Sequence, residues 1–334
     1  MQSDPCNRPS RFLVTGGQQN RAQLQKLAKF NLGVASTIDL ERASVSRTFD
    51  YKSSDENAPP KELDMNFTAG SVCGDEVIIP TTTELLIYDK GTLSLKGVIS
   101  HPIFNDVHHV VRDYDQSFLV ASTGLDGIAR IDTQGKLVEE WSVLEQSVWD
   151  HFDSDTDYRK KSTKPHRSHP NYVFRLDEEI WATRFRQKDA ICLTNRSKRI
   201  PLDIEKPHDG VVFGKHVYFT IVSGYVVQVD IESLDVTKVY DLNQMNMGAK
   251  ALGWCRSIAP LGNEEFLVGF SRLRPTLLRQ NITWISERFF SDKLLADSFP
   301  TRVVHYDLKA MKVIREYNLE DLNMAVVFSI LPLG

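Results

Sequence analysis

The chain has 334 residues, 41% of them hydrophobic and 25% charged, a composition that fits a folded globular protein and excludes a disordered one. Its formal net charge of −4 excludes the basic surface that a general nucleic-acid or anionic-membrane binder needs. The four cysteines, Cys6, Cys73, Cys192 and Cys255, stand far apart with no CxxC pair, which argues against a disulfide framework and for a reducing compartment.

The N-terminus is polar, without the apolar stretch of a signal peptide, and no run approaches the ~20 apolar residues of a membrane span, so a cytoplasmic location without membrane or nucleic-acid partners is expected. The first β-prone runs are Arg11–Thr15, Thr37–Leu40 and Val45–Tyr51. Residues 16–36 between the first two read as an insertion, in which Leu24, Leu27 and Phe30 suit a short amphipathic helix. From Ala69 onward a unit recurs, and it is clearest over Val107–Trp141. Four short apolar runs are separated there by Asp113-Tyr114-Asp115, Gly124–Gly127 and Thr133-Gln134-Gly135, the pattern of a four-stranded antiparallel meander. The apolar-Asp turn of each unit returns at Ile38-Asp39, Tyr88-Asp89, Ile131-Asp132, Val229-Asp230 and Tyr306-Asp307, with a degraded copy at Leu193-Thr194-Asn195. An Asp or Asn there hydrogen-bonds backbone two residues on and sets a hairpin.

A lone meander cannot cover both its faces, so a recurring one implies a stacked or radial array. Five units are complete. The sixth is split, with three strands at the N-terminus and an apolar strand, Ala325–Leu331, at the C-terminus. The predicted fold is all-β: a six-bladed β-propeller spanning residues 1–334 as one domain and closed by its N- and C-terminal strands, with no open sheet edge. A β-sandwich pair or a seven-bladed ring is the alternative. The long segments 16–36, 51–66, 144–168 and 273–300 all map to loops on one face, the top. Elaboration confined to one face places function there.

Aligning the blades on their turns brings Thr68, His108 or His109, His169, His208, Trp254 or Cys255, and Asn323 or Met324 to the mouth of the central channel. Three histidines at one ring position form a candidate site for Fe, Zn or Mn on His108, His169 and His208, with Asp106, Asp209 or Asp153 behind the rings. The plainer reading is that these rings cap channel strands through backbone or water. His166 and His169 can chelate together only from a helix, which Pro165 and Pro170 oppose. Arg184, Arg186, Arg272 and Arg274 close the second strands of two blades, and Arg256 follows Cys255 on an inner strand. Guanidinium forks suit carboxylate or phosphate, so a small anionic ligand is implied, unless these arginines pair with acids of the top loops. Cys255 beside Arg256 is a candidate nucleophile, or a buried inert thiol. The Asp-rich run 150–157 lacks the Gly and closing Glu of a calcium loop. There is no GxGxxG before a helix, no P-loop and no GxSxG elbow.

In segments such as His108-His109-Val110-Val111 and Pro207-His208-Asp209-Gly210, the chain resembles the six-bladed propeller superfamily of NHL-repeat, strictosidine-synthase-like and peptidyl-amidating-lyase-like domains. In the amidating lyases three histidines from separate blades hold an axial metal, and His108, His169 and His208 are similarly placed. Two functions are therefore expected. One is a metal-dependent enzyme of lyase, isomerase or oxygenase type. In it Arg184, Arg256, Arg272 and Cys255 serve catalysis, Arg186, Arg274 and Trp254 bind a small anionic substrate, and segment 273–300 closes as a lid. The other is a non-catalytic propeller that binds a peptide, glycan or protein.

Overall fold

The computed structural model describes residues 8–19, 29–61, 63–246, 251–273 and 299–334. Among them, alternating apolar runs form twenty-four strands in six four-stranded antiparallel sheets. Blade 1 joins β1 (Arg11–Gln19), β2 (Phe30–Asp39) and β3 (Ser44–Tyr51) to the last strand of the chain, β24 (Val326–Pro332). Blade 2 contains β4 (Ser71–Cys73), β5 (Glu76–Pro80), β6 (Leu85–Asp89) and β7 (Leu95–Ile99), and blade 3 β8 (Val107–Arg112), β9 (Phe118–Ser122), β10 (Gly127–Ile131) and β11 (Leu137–Ser142). Blade 4 contains β12 (Val173–Leu176), β13 (Glu179–Arg184), β14 (Asp189–Cys192) and β15 (Arg199–Pro201). Blade 5 contains β16 (Pro207–Phe213), β17 (His216–Ile221), β18 (Tyr225–Asp230) and β19 (Val236–Asp241), and blade 6 β20 (Trp254–Gly262), β21 (Glu265–Ser271), β22 (Arg302–Asp307) and β23 (Lys312–Asn318).

The period of two explains the ring. On β9, Phe118 and Val120 pack toward blade 2 while Leu119 and Ala121 pack toward blade 4. On β17, Val217, Phe219 and Ile221 face blade 4 and Tyr218 faces blade 6. A middle strand apolar on both faces needs a sheet on either side. Six apolar clusters meet that need, one between each pair of neighbouring blades, including blades 6 and 1. Closure comes from β24 pairing with β1, Leu13 opposite Leu331 and Thr15 opposite Ser329.

Residues 16–36 differ from the expected insertion. β1 runs on to Gln19 and β2 begins at Phe30, with Gly16 paired to Val34 and Gly17 to Gly33. The glycines mark close approach rather than a turn, since a Cβ on Gly16 would stand 1.8 Å from the Val326 carbonyl oxygen. The expected helix over 21–30 lies, apart from its end, outside the described residues. Segment 144–168 follows β11 and contains two short 3-10 turns, Val148–Asp150 and Tyr158–Lys160. No helix among the described residues is long and apolar enough to cross a membrane.

Candidate active site at the channel mouth

The inner strands β24, β8, β16 and β20 share one irregularity. Pairing skips a single residue near the top of each, and the skipped residues are Phe328, His108, His208 and Arg256. A bulged residue leaves the ladder and re-aims its side chain. All four line a cavity of about 610 Å³ at the upper mouth of the channel. The rings of His108 and His208 lie 6.2 Å apart, and each is about 6 Å from the ring of Phe328.

Blade 4 contributes His169 by another device. Its φ is +64°, a left-handed conformation that costs a non-glycine residue energy. The Asp126 carboxylate holds it there by accepting the backbone N–H groups of Arg167, Ser168 and His169 at 2.7–2.9 Å. The His169 ring packs edge-on against His108 at 4.7 Å and stacks on His166 at 4.9 Å. The two Nδ1 atoms of His166 and His169 are 2.7 Å apart, so one donates its hydrogen to the other. His166 Nε2 stands 3.7 Å from the Asp106 carboxylate, which Lys164 also meets at 3.1 Å.

Partners that only accept or only donate fix two tautomers. His108 Nδ1 lies 2.8 Å from the Asp106 carbonyl oxygen, so Nδ1 carries the hydrogen and Nε2 keeps its lone pair. His208 Nε2 faces Arg256 Nη1 at 3.2 Å, and a guanidinium can only donate, so this nitrogen accepts. Burial pushes the basicity of all four rings down. His166 falls to about 4, and His169 and His208 fall well below the ordinary value, the latter with Arg256 adding to the effect. Burial also works against a charged Asp106, but Lys164 overcomes it and holds the carboxyl below the usual range. The site therefore presents neutral imidazoles beside a fixed guanidinium.

Arg256 is seated between aromatic faces, its guanidinium carbon 4.9 Å from the Phe328 ring centre and 5.8 Å from that of Trp254. Gly253 sets up this strand start, because its φ is +96° and a Cβ there would meet the Ser271 carbonyl oxygen at 2.4 Å. Of the other sequence-predicted residues, Arg272 and Arg186 line the cavity, but Arg272 is engaged in a two-pronged pair with Glu320 at 2.5 and 2.8 Å. Arg184 does not line it: it is buried against Asp189, at 2.7 and 2.6 Å. Cys255 does not line the cavity; it is fully buried within the core between blades 5 and 6, and burial pushes its thiol far above the ordinary range. Arg274 and most of the expected lid lie outside the described residues. Asp106 meets the His108 ring through its backbone carbonyl, and its carboxylate faces Lys164 and His166. Asp209 and His109 instead point to the opposite end of the channel, and Asp153 caps its own turn through Asp155 and Thr156. Sequence reasoning passed over Lys164, Asp126 and Phe328. The run Ala325–Leu331 had placed Phe328 on an inner strand, but nothing in it marks the bulge.

Coordination by three imidazoles requires three nitrogens to converge on a point about 2.1 Å from each. Among the described residues no three His, Cys, Asp or Glu side chains are grouped to hold a metal ion. The acceptor nitrogen of His208 is, moreover, turned to a guanidinium, which repels a cation. The arrangement thus does not fit the expected Fe, Zn or Mn centre on His108, His169 and His208.

No family model matches the chain, and no curated protein does. Among solved structures it is similar to a protein of unknown function from Bacteroides caccae, at 12% identity over 97% of this chain and 98% of that one, with a TM-score of 0.59. A weaker similarity, with a TM-score of 0.46, is to a catalytically inactive virginiamycin B lyase from Staphylococcus aureus with quinupristin, at 13% identity over 77% of this chain and 71% of that one. The likeness to the first is one of fold alone.

Proposed function

We propose that this chain is an enzyme of lyase or isomerase type that binds a small carboxylate- or phosphate-bearing molecule in the upper cavity and removes a proton from it. The observation that carries this reading is the set of one-residue bulges that aim His108, His208 and Arg256 into one cavity together with His169. Arg256, held between Trp254 and Phe328, is the anion's partner. His108, anchored through Nδ1, offers the Nε2 lone pair as general base. Taking a proton from carbon beside the bound carboxylate leaves an electron pair. That pair either expels a leaving group from the next carbon or returns with a proton elsewhere. Neutral imidazoles suit this role, because a ring already charged cannot accept.

The test uses short mono- and dicarboxylates and inorganic phosphate in D2O, followed by NMR. Saturable binding and loss of the C–H signal beside the carboxylate are expected for at least one of them. Arg256→Gln should weaken binding about tenfold or more, the effect of one lost hydrogen bond to a charged group. His108→Gln should keep binding and lose exchange. Binding without exchange would leave a non-catalytic binding propeller, and no binding of any anion would sink the proposal. Stoichiometric Fe, Zn or Mn in protein purified without a His tag would instead restore a metal-dependent reading.

A further inference from the structure

The channel has a second cavity at its other end, of about 700 Å³, separate from the upper site. Its wall is largely apolar and comes from the lower halves of the inner strands, including Val72, Val111, Val173, Phe174 and Ile258. While the bulged His108 and His208 line the upper cavity, the residues that follow them, His109 and Asp209, return to the ladder and line this lower space. Asp209 is 6% exposed and lines the cavity. Its backbone N–H bonds Thr220, and the group acting on its carboxyl as a donor is the Gly210 N–H. No ion pair joins it to a cation among the described residues, and burial raises its pKa well above the ordinary carboxyl value.

The other ionisable groups around it do not supply the missing charge. Tyr172 and Cys255 are buried and neutral, with pKa values raised by burial and by Asp209. His109 is also held neutral by burial, its pKa at about 3, and its Nδ1 accepts from Val173 N at 3.3 Å. The rim arginines are engaged elsewhere: Arg8 with Glu265, Arg112 with Glu76, and Arg175 with Asp113. A buried carboxyl without a counter-charge is costly unless a ligand supplies one.

We propose that the lower cavity is a binding site for a small primary amine with an apolar body, whose ammonium group pairs with the Asp209 carboxylate while its hydrocarbon part fills the Val- and Phe-lined wall. On binding, the carboxyl proton passes to solvent and the ammonium takes its place.

The probes are n-hexylamine, benzylamine and phenethylamine, each against its matched alcohol, titrated into the full chain at neutral pH by calorimetry and ligand-observed NMR. At least one amine should bind saturably and at least about tenfold more tightly than its alcohol, the ratio that one charge-assisted contact supports. Asp209→Asn should remove that preference, with the alcohol's affinity unchanged and the circular dichroism of the folded protein retained. An amine that binds Asp209→Asn as well as the parent, or an alcohol that matches its amine, overturns the assignment, as does the absence of binding by all three amines. Arg256→Gln, which disables the upper site, should leave amine binding unchanged. A loss in that variant would mean that the amine occupies the upper cavity.

Discussion

Asp209 and His166 are buried at opposite ends of the channel, and burial shifts them in opposite directions. His166 falls from 6.5 to about 4, so below pH 6.5 the unfolded chain binds a proton that the folded chain refuses. Stability is complete above pH 6.5 and drains away as pH falls toward 4. At about 1.4 kcal/mol per unit, this one group accounts for on the order of 3 kcal/mol. His166→Asn should therefore raise the melting temperature relative to the parent at pH 5 and lose that advantage at pH 7.5. Asp209 behaves in reverse. Its folded pKa is raised, so the folded chain holds the proton longer, and stability falls as pH rises from the ordinary carboxyl value toward the shifted one. Asp209→Asn should stabilise at pH 7.5 and have little effect at pH 3.5. Melting curves of both variants across pH check the two signs, and parallel curves for either variant would mean that its group does not titrate on folding.

At the scale of elements, the channel mouth depends on how inner strands begin. β8, β16, β20 and β24 each begin with or contain a bulge, whereas β12 starts only at Val173 and relies on Asp126 to position His169 ahead of it. Asp126 is 3% exposed and accepts three backbone N–H groups from a neighbouring connection. Asp126→Ala leaves those donors unsatisfied and should cost about 2–4 kcal/mol by denaturant unfolding. Anion affinity at the upper site should fall with it, although Asp126 is no ligand. An unchanged affinity would show that His169 keeps its place without that support. This is also where sequence reading stops. The alternation on β9 and β17 is written in residue type, so the strands and their order were legible. A bulge changes the pairing of a residue and not its type, so neither the choice of His108 over His109 nor the aim of Phe328 was visible. Gly16, Gly17 and Gly33 read as loop-formers because turn and close approach call for the same residue. The two arginines of Ala182-Thr183-Arg184-Phe185-Arg186 look alike in sequence. Only the position of Asp189, five residues on, takes the first into the core and leaves the second at the cavity.

At the scale of the molecule, the ring is held shut by one strand. β24 places Val326, Val327, Phe328, Ile330 and Leu331 at 0–6% exposure, packed against both blade 1 and its neighbours. At about 1.5–3 kcal/mol each, these side chains contribute on the order of 10 kcal/mol, comparable to the roughly 5–15 kcal/mol net stability of a whole domain. Removing residues 326–334 should thus abolish cooperative unfolding rather than lower its midpoint, because β1 and the channel-facing side of blade 6 would both be uncovered. The start of β1 lies beside the last residue, the N–H groups of Ser10 and Arg11 donating to the Gly334 carbonyl oxygen at 3.1 and 2.9 Å. A circular permutant that joins Gly334 to Met1 and opens the exposed turn between Thr133 and Gln134 keeps all six sheets and moves only the break. It should unfold cooperatively within a few °C of the parent, since the one hairpin it opens is at an outer strand. If the truncated chain still melted in a single sharp transition, β24 would be a cover for the ring and not its closing member. The aim of Phe328 into the upper cavity would then have to come from packing within that cavity and not from strand pairing.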